Sequence, residues 1–301
     1  MHMTLSILWR SEGVLHLASD SRISFRGAGD ADIGIKVMQL PIRVRGTDLD
    51  EHGNHDILLN TIYGFCYAGS LVNATTFKSL IEDLLIDVQY VPPDAPLSFS
   101  EICGFLCRYS EMVSTEIVSR LAENGGYTFF IAGWCPLLKL FRGAKFHLEH
   151  NAGKTVGTFE EVTQNEGEYI ALGAGANEFN TLMAELQVNR NSVLQTLNYI
   201  IDEGIIPSVG GDIQYGSFNK SRNFTTYGIM RISEESIEIN GEVTGLSEQR
   251  IMKYRGFELY ADWTLEGSRF WVSPGLIELR VPSNQSSKER FAEECKNSFN
   301  Q

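Results

Sequence analysis

The chain opens on an alternation of period two. Thr4, Ser6 and Leu8 fall on one side of a strand, and Leu5, Ile7 and Trp9 on the other. Ser11-Glu12-Gly13 reads as a turn and Val14 to Ser19 as the return strand, which predicts an N-terminal hairpin. Arg26 to Asp30 is a glycine-rich loop, and a strand follows through Ile35 to Leu40. The polar, acidic stretch 43–56 reads as an inserted hairpin tip or loop, and Thr61 to Ala68 as a strand ending at Gly69. The period then changes to that of a helix. Phe77, Leu80, Ile81, Leu84 and Leu85 share one stripe of a helix from about Leu71 to Val88, stopped by Pro92-Pro93. Ser98 or Ser100 can cap a second helix carrying Ile102, Phe105, Leu106, Met112, Val113, Ile117 and Leu121, which ends at Gly125-Gly126.

Strands resume at Tyr127 to Gly133 and Leu137 to Phe141, with another around Phe146, and Glu168 to Leu172 enters Gly173-Ala174-Gly175. Asn177 to Leu186 and Ser192 to Asp202 form a second helix pair; Ile213 to Ser217 and Thr225 to Ile232 form two further strands. Strands, two helices, strands, two helices, strands: this grouping suits an α+β fold, a four-layer αββα sandwich with two sheets between two helical layers. The expected organisation is one domain over 4–232 and a C-terminal extension over 233–301. The extension holds strand-like pieces (Ser236 to Ile239, Phe257 to Tyr260, Phe270 to Val272, Ile277 to Val281) and a polar helix near Lys288 to Ser298.

Composition narrows the function classes. Of 301 residues 43% are hydrophobic, enough for a substantial core, and the formal net charge is −13. So acidic a chain repels phosphate backbones, which argues against nucleic acid and anionic membranes as partners. There is no apolar run of membrane-spanning length and no secretory pattern near Met1, so a cytoplasmic protein is expected. The cysteines at 66, 103, 107, 135 and 295 are dispersed; Cys103 and Cys107, four apart on a helical pattern, read as a core pair. His52-x-x-His55 and His147-x-x-His150 lack further ligands at close spacing, so no metal and no cofactor is expected.

Candidate chemistry starts at Thr4. A threonine that becomes the N-terminal residue carries a hydroxyl nucleophile and an α-amine base together, the amine having a reference pKa of about 7.7–8. Removal of a methionine before a small residue is ordinary, but His2 precedes Met3, so exposure of Thr4 requires a start at Met3 or removal of residues 1–3. Asp20 stands at the end of the returning strand and Lys36 at the start of the next, in Ile33-Gly-Ile-Lys-Val-Met. A three-stranded arrangement gathers them, and a lysine held by an aspartate lowers the pKa of a neighbouring amine and hydroxyl. The plainer alternative is a surface Asp–Lys pair worth under about 1 kcal/mol.

Thr4, Asp20 and Lys36 have the order and spacing of the catalytic residues in proteasome β subunits and the bacterial HslV peptidase. The chain resembles this family of N-terminal nucleophile hydrolases over about residues 4–232, most strongly in the first 75. Ser19-Asp20-Ser21-Arg22 is similar to its Asp-x-Arg segment and Tyr67-Ala68-Gly69-Ser70 to its Ala-Gly turn. Ile131-Ala-Gly-Trp134 is similar to its strand before the mid-chain hairpin, and Leu172-Gly-Ala-Gly175 to its Gly-Ser-Gly. The insertion at 43–56 and the extension resemble the divergent bacterial homologues of ancestral β-subunit type.

The resemblance implies an αββα threonine endopeptidase. Thr4 attacks a peptide carbonyl, Asp20 and Lys36 support it, and the Gly69 amide holds the oxyanion, a contribution typically of about 3 kcal/mol. Substrate contacts fall on Arg22, on Ser24 as the residue that aligns an extended peptide, and on Ile23, Gly34, Met38, Tyr67, Leu71 and Thr75 around the side-chain pocket. These are largely apolar, so a hydrophobic preference is expected. A polypeptide substrate and a ring or helical homo-oligomer are implied, and a regulatory ATPase partner is admitted. Two departures stand out: Ala174 replaces a serine, and Pro207-Ser208-Val209-Gly210-Gly211 keeps only the glycines of an Asp-x-x-Ser-Gly motif, with Ser208 as a substitute hydroxyl. An amidase for a small amide and a non-catalytic assembly subunit are the alternative readings.

Overall fold

The computed structural model describes residues 4–25, 29–91, 97–121, 126–151, 153–239, 242–255, 257–258 and 274–280. The predicted hairpin is present as β1 (Leu5–Ser11) and β2 (Val14–Ser19). Its turn places Glu12 and Gly13 at φ 55° and 74°, the left-handed pair that a two-residue hairpin with the natural strand twist requires. A small hairpin follows, β3 (Ile23–Phe25) and β4 (Gly29–Ala31). Next come β5 (Val37–Leu49) and β6 (His55–Gly69), then α1 (Leu71–Leu85), the short β7 (Val88–Gln89) and α2 (Phe99–Leu121). The middle of the chain holds β8 (Tyr127–Cys135), β9 (Leu140–Asn151), β10 (Lys154–Val162) and β11 (Tyr169–Gly173). Helices α3 (Ala176–Met183) and α4 (Arg190–Asp202) precede β12 (Gln214–Phe218), β13 (Phe224–Ile239), β14 (Glu242–Tyr254), β15 (Phe257–Glu258) and β16 (Leu276–Arg280).

Among the described residues an eight-stranded sheet runs β11-β1-β2-β12-β13-β14-β15, with β16 parallel to β13, and a six-stranded sheet runs β10-β9-β8-β6-β5-β7. The alternation read in β1 is kept. Leu5, Ile7 and Trp9 join a core with Phe179 and Met183 of α3 and Val193, Leu194, Leu197 and Ile200 of α4. Leu8, on the other face, meets Val37, Cys66, Phe130 and Phe141 of the six-stranded sheet. Residues of β1 are therefore buried on both sides, which is why the strand contains so little exposed polarity. Helices α1 and α2 close a third core over the far side of the six-stranded sheet, where Cys103, Cys107 and Cys135 lie as buried thiols.

The expected four-layer αββα sandwich is corrected to a mostly β architecture. Strands make up 48% and helices 25%, and one sheet curls into a half-barrel. The cause is strand length. The stretch 43–56 extends β5 and β6 into a long antiparallel hairpin (Leu49↔His55), and β13 runs past Ile232 to pair with β14 along most of its length. Each strand adds right-handed twist, and long twisted pairs coil rather than stack flat. The pieces expected at Phe270 to Val272 and Lys288 to Ser298 lie outside the described residues.

The choice between Ser98 and Ser100 as cap falls to Ser98. Its Oγ accepts from the Glu101 amide (3.2 Å), while a Glu101 carboxylate oxygen accepts from the Ser98 amide (2.8 Å), a reciprocal capping box. Ser98→Ala is expected to lower stability by about 1 kcal/mol, read as a shift in the urea midpoint, with Ser98→Asp close to wild type.

Candidate active site

The two sheets bring one end of each to a common point. Thr4 immediately precedes β1, Asp20 immediately follows β2, and Gln214 begins β12. The registers Ser6↔Ser19 and Ser19↔Gln214 hold these three at the same edge. Lys36 precedes β5 in the facing sheet, and Tyr67 to Gly69 close β6 beside it. Ser6 Oγ donates to the Tyr67 carbonyl (2.7 Å), tying the ends of the two sheets together.

Three sequence-predicted residues converge directly. Lys36 Nζ donates to Thr4 Oγ1 at 2.7 Å and to Asp20 Oδ1 at 3.0 Å. The Lys36 and Asp20 side chains are 2% and 0% exposed, so this is a buried ion pair and not a surface one. Asp20 is saturated: Oδ1 also accepts from the Leu5 amide (2.9 Å), and Oδ2 from the amides of Arg22 (3.1 Å) and Gly210 (3.2 Å). Burial draws the Lys36 pKa below that of a free lysine, opposed by the attraction of Asp20.

The surroundings explain the glycines. Gly173 (φ 97°) lies so close to the Thr4 carbonyl that a Cβ would collide with it, and its neighbour on the other side is the Ala68 methyl. Gly69 (φ 117°) takes the left-handed backbone that ends β6, and Ser70 then caps α1 by accepting from the Asn73 amide at 3.3 Å. Gly210 packs against the Arg22 guanidinium, and its carbonyl accepts from the amides of Ser21 (3.2 Å) and Arg22 (3.0 Å). The altered 206–211 segment thus supports Asp20 through its backbone. Ser208 makes no side-chain hydrogen bond among the described residues.

The remaining sequence-predicted residues divide. Arg22 grips Asp32 with two hydrogen bonds, Nε to Oδ1 (2.8 Å) and Nη2 to Oδ2 (3.1 Å), and Nη1 donates to the Pro207 carbonyl (3.1 Å). The same pairing holds the Asp32 carboxyl below its ordinary range. Arg22 therefore braces the loop leading to Lys36. Ile23, Gly34, Met38, Leu71 and Thr75 do line one cavity, of about 540 Å³. Ser24 is in the β3–β4 hairpin and Tyr67 in the core; neither lines that cavity, although the Tyr67 hydroxyl donates to the carbonyl of Ile35, which does (3.4 Å).

Several residues of this site are not apparent from sequence motifs. The Gln214 side-chain oxygen accepts from the amides of Lys36 (2.8 Å) and Val37 (3.1 Å), and its amide group donates to the Gly34 carbonyl, fixing the strand that carries Lys36. Asp212, whose amide donates to Ser21 Oγ (2.8 Å), pairs with Lys253 of β14 at 2.9 Å. Lys78, Glu82 and Arg255 add charge to the cavity. One signal for Gln214 was available: an amide set between Ile213 and Tyr215 at the head of a strand.

No family model matches the chain, and no curated protein matches it. Among solved structures it is similar to Anbu, described as an ancestral beta-subunit, from Yersinia bercovieri, at 15% identity and TM-score 0.51 over 74% of this chain and 86% of that one. A helical assembly of the Anbu complex from Pseudomonas aeruginosa matches at 16% identity and TM-score 0.51, over 74% and 85% of the two chains. A Gly-1 mutant of Anbu from Hyphomicrobium sp. strain MC1 covers 82% of this chain and 86% of its own, at 16% identity and TM-score 0.47. The family membership implied by the sequence resemblance is corrected accordingly: identities of 15–16% without a matching family model establish a likeness of fold alone. The short motifs that carried the resemblance include turn glycines such as Gly69 (φ 117°) and Gly173 (φ 97°), a backbone conformation for which glycine is the default residue in tight turns generally.

Proposed function

We propose that Thr4, once freed as the N-terminal residue, is the nucleophile of a hydrolase acting on amide bonds of polypeptides. The observation that carries this is the buried bridge of Lys36 Nζ between Thr4 Oγ1 (2.7 Å) and Asp20 Oδ1 (3.0 Å). A cation buried at such cost needs a reason, and a hydroxyl about to become an alkoxide supplies one. Lys36 steadies the developing charge, and its lowered pKa eases proton exchange with Oγ1. The oxygen attacks the carbonyl carbon, the hydroxyl proton passes through the α-amine to the departing amine, and an ester on Thr4 remains. Water adds to the ester, the acid leaves, and Oγ1 recovers its proton.

The Gly69 amide, at the end of β6, is the proposed oxyanion donor. Substrate runs past Ser24 and Arg22, with a side chain in the cavity of Ile23, Gly34, Met38, Leu71 and Thr75. A homo-oligomer is part of the reading, supported by the helical assembly reported for the Pseudomonas aeruginosa Anbu complex. No helix among the described residues is long and apolar enough to cross a membrane.

The test is covalent. Protein released with Thr4 as its first residue is treated with a small threonine-directed electrophile and weighed intact. One adduct mapping to Thr4, absent from Thr4→Ala and Lys36→Ala, is expected. Equal labelling of Thr4→Ala, or no adduct in the wild type, overturns the reading.

A further inference from the structure

The cavity beside Lys36 is apolar along most of its wall, with Ile23, Ile33, Ile35, Met38 and Leu71, and it is large enough for a long amino-acid side chain. Three charged side chains also reach it, and they are not equivalent. Lys78 and Glu82, one turn apart on α1, form an ion pair with each other and cancel. Arg255 is different. It comes from the end of β14, beyond the stretch 4–232, and has no carboxylate within salt-bridge distance among the described residues. Its contacts are a hydrogen bond from Nη2 to Thr226 Oγ1 at 3.4 Å and the Tyr254 ring at 5.5 Å. Its Nε is buried without a partner. The backbone at Arg255 is left-handed (φ 53°), uncommon for a residue with a branched chain of donors and fixed here by the close of β14.

An aliphatic slot with a guanidinium that meets no carboxylate among the described residues suits a particular chemistry: a methylene stem that ends in a carboxylate. An ionised partner satisfies the planar donors of arginine better than any neutral group. We infer that this cavity selects a glutamate side chain of the substrate, with Arg255 as the specificity-determining residue supplied by the C-terminal segment. The inference rests on the reading of Thr4 as nucleophile, and it replaces the hydrophobic preference expected from the wall residues alone. It also gives the C-terminal segment a role: Lys253 on Asp212 and Arg255 in the cavity both come from β14 or its end.

The experiment uses three fluorogenic peptides that differ only in having Glu, Gln or Leu at the residue whose carbonyl is attacked. The wild type is expected to favour Glu over Gln by at least about tenfold in kcat/KM, since charge-assisted hydrogen bonds exceed neutral ones by about that factor. R255Q is expected to bring the Glu-to-Gln ratio of kcat/KM to about one, the ratio being read within each protein so that any general change in turnover cancels. Preference for Leu in both proteins, or a Glu preference that survives in R255Q, overturns the inference while the Thr4 reading stands. If Thr4 labelling itself fails, the same peptides are followed by fluorescence anisotropy. Tighter binding of Glu than Gln, lost in R255Q, supports the acidic cavity on its own, and equal binding refutes it. If R255Q melts well below wild type, R255K serves instead, with a reduced Glu preference expected and an undiminished one counting against Arg255.

Discussion

Asp20→Ala is expected to lower the unfolding free energy by about 3–5 kcal/mol, the cost of leaving one partner of a buried ion pair alone. The carboxylate accepts four hydrogen bonds, from Lys36 Nζ and from the amides of Leu5, Arg22 and Gly210. Removing it takes the carboxylate acceptor from the amides of Leu5 and Gly210 and strands an ammonium in a site where Lys36 is 2% exposed, while the Arg22 amide keeps the Gly210 carbonyl. Deleting the charge as well separates these contributions. The double variant Asp20→Ala/Lys36→Met is expected to recover much of the loss, because an apolar chain of similar volume replaces the stranded ammonium. It recovers no labelling of Thr4, because nothing then polarises Oγ1. Urea unfolding of the two variants beside wild type is the measurement. A single variant that loses less than about 1 kcal/mol would mean that the pair is solvated, and the electrostatic account of the site would fall.

The difference between legible and illegible parts of this chain is physical. The hairpin β1–β2 was readable because both of its faces are buried, so packing constrains nearly every position. Thr4, Asp20 and Lys36 were legible by their order and spacing, each standing next to the end of a strand and not within it. The outer half of β5 and the whole of β10 were not readable. Beyond Val44 the β5–β6 hairpin is largely exposed, so backbone pairing continues while hydrophobic selection stops. Strand β10 lies at a sheet edge with Thr155, Gly157 and Phe159 facing inward, a pattern too weak to mark a strand. Gln214 and Arg255 fail for another reason. Their roles depend on which strands become neighbours, and no local pattern encodes that β12 lies beside β2 or that the end of β14 reaches the cavity.

His16 sets the second large expectation, in the acid range. Its ring lies on Trp9 with centroids 4.9 Å apart, and its two nitrogens meet Tyr215 Oη at 2.8 Å and Ser11 Oγ at 3.0 Å. Burial is the main cause that brings its pKa down from 6.5 to about 4; Arg190 acts in the same direction, and the Ser11 carbonyl and Glu166 oppose it. The folded state therefore holds His16 neutral where the unfolded chain protonates it. Between these two pKa values the unfolded state binds more protons, so stability rises with pH; the contribution is complete above about 6.5 and is lost as pH falls towards 4. The loss from this residue alone amounts to about 3 kcal/mol between pH 7 and pH 4. Other groups titrate in the same interval, including His150, whose burial lowers its pKa as well. The decisive quantity is thus a difference: the pH slope of the wild type minus that of His16→Gln, whose amide can bond both hydroxyl partners without titrating. Urea midpoints at half-unit steps from pH 7 to 4 are expected to fall more steeply for the wild type. Parallel curves would place the His16 proton in the folded state too, and the stacked Trp9–His16 pair would then be a cation held over an indole rather than a neutral stack.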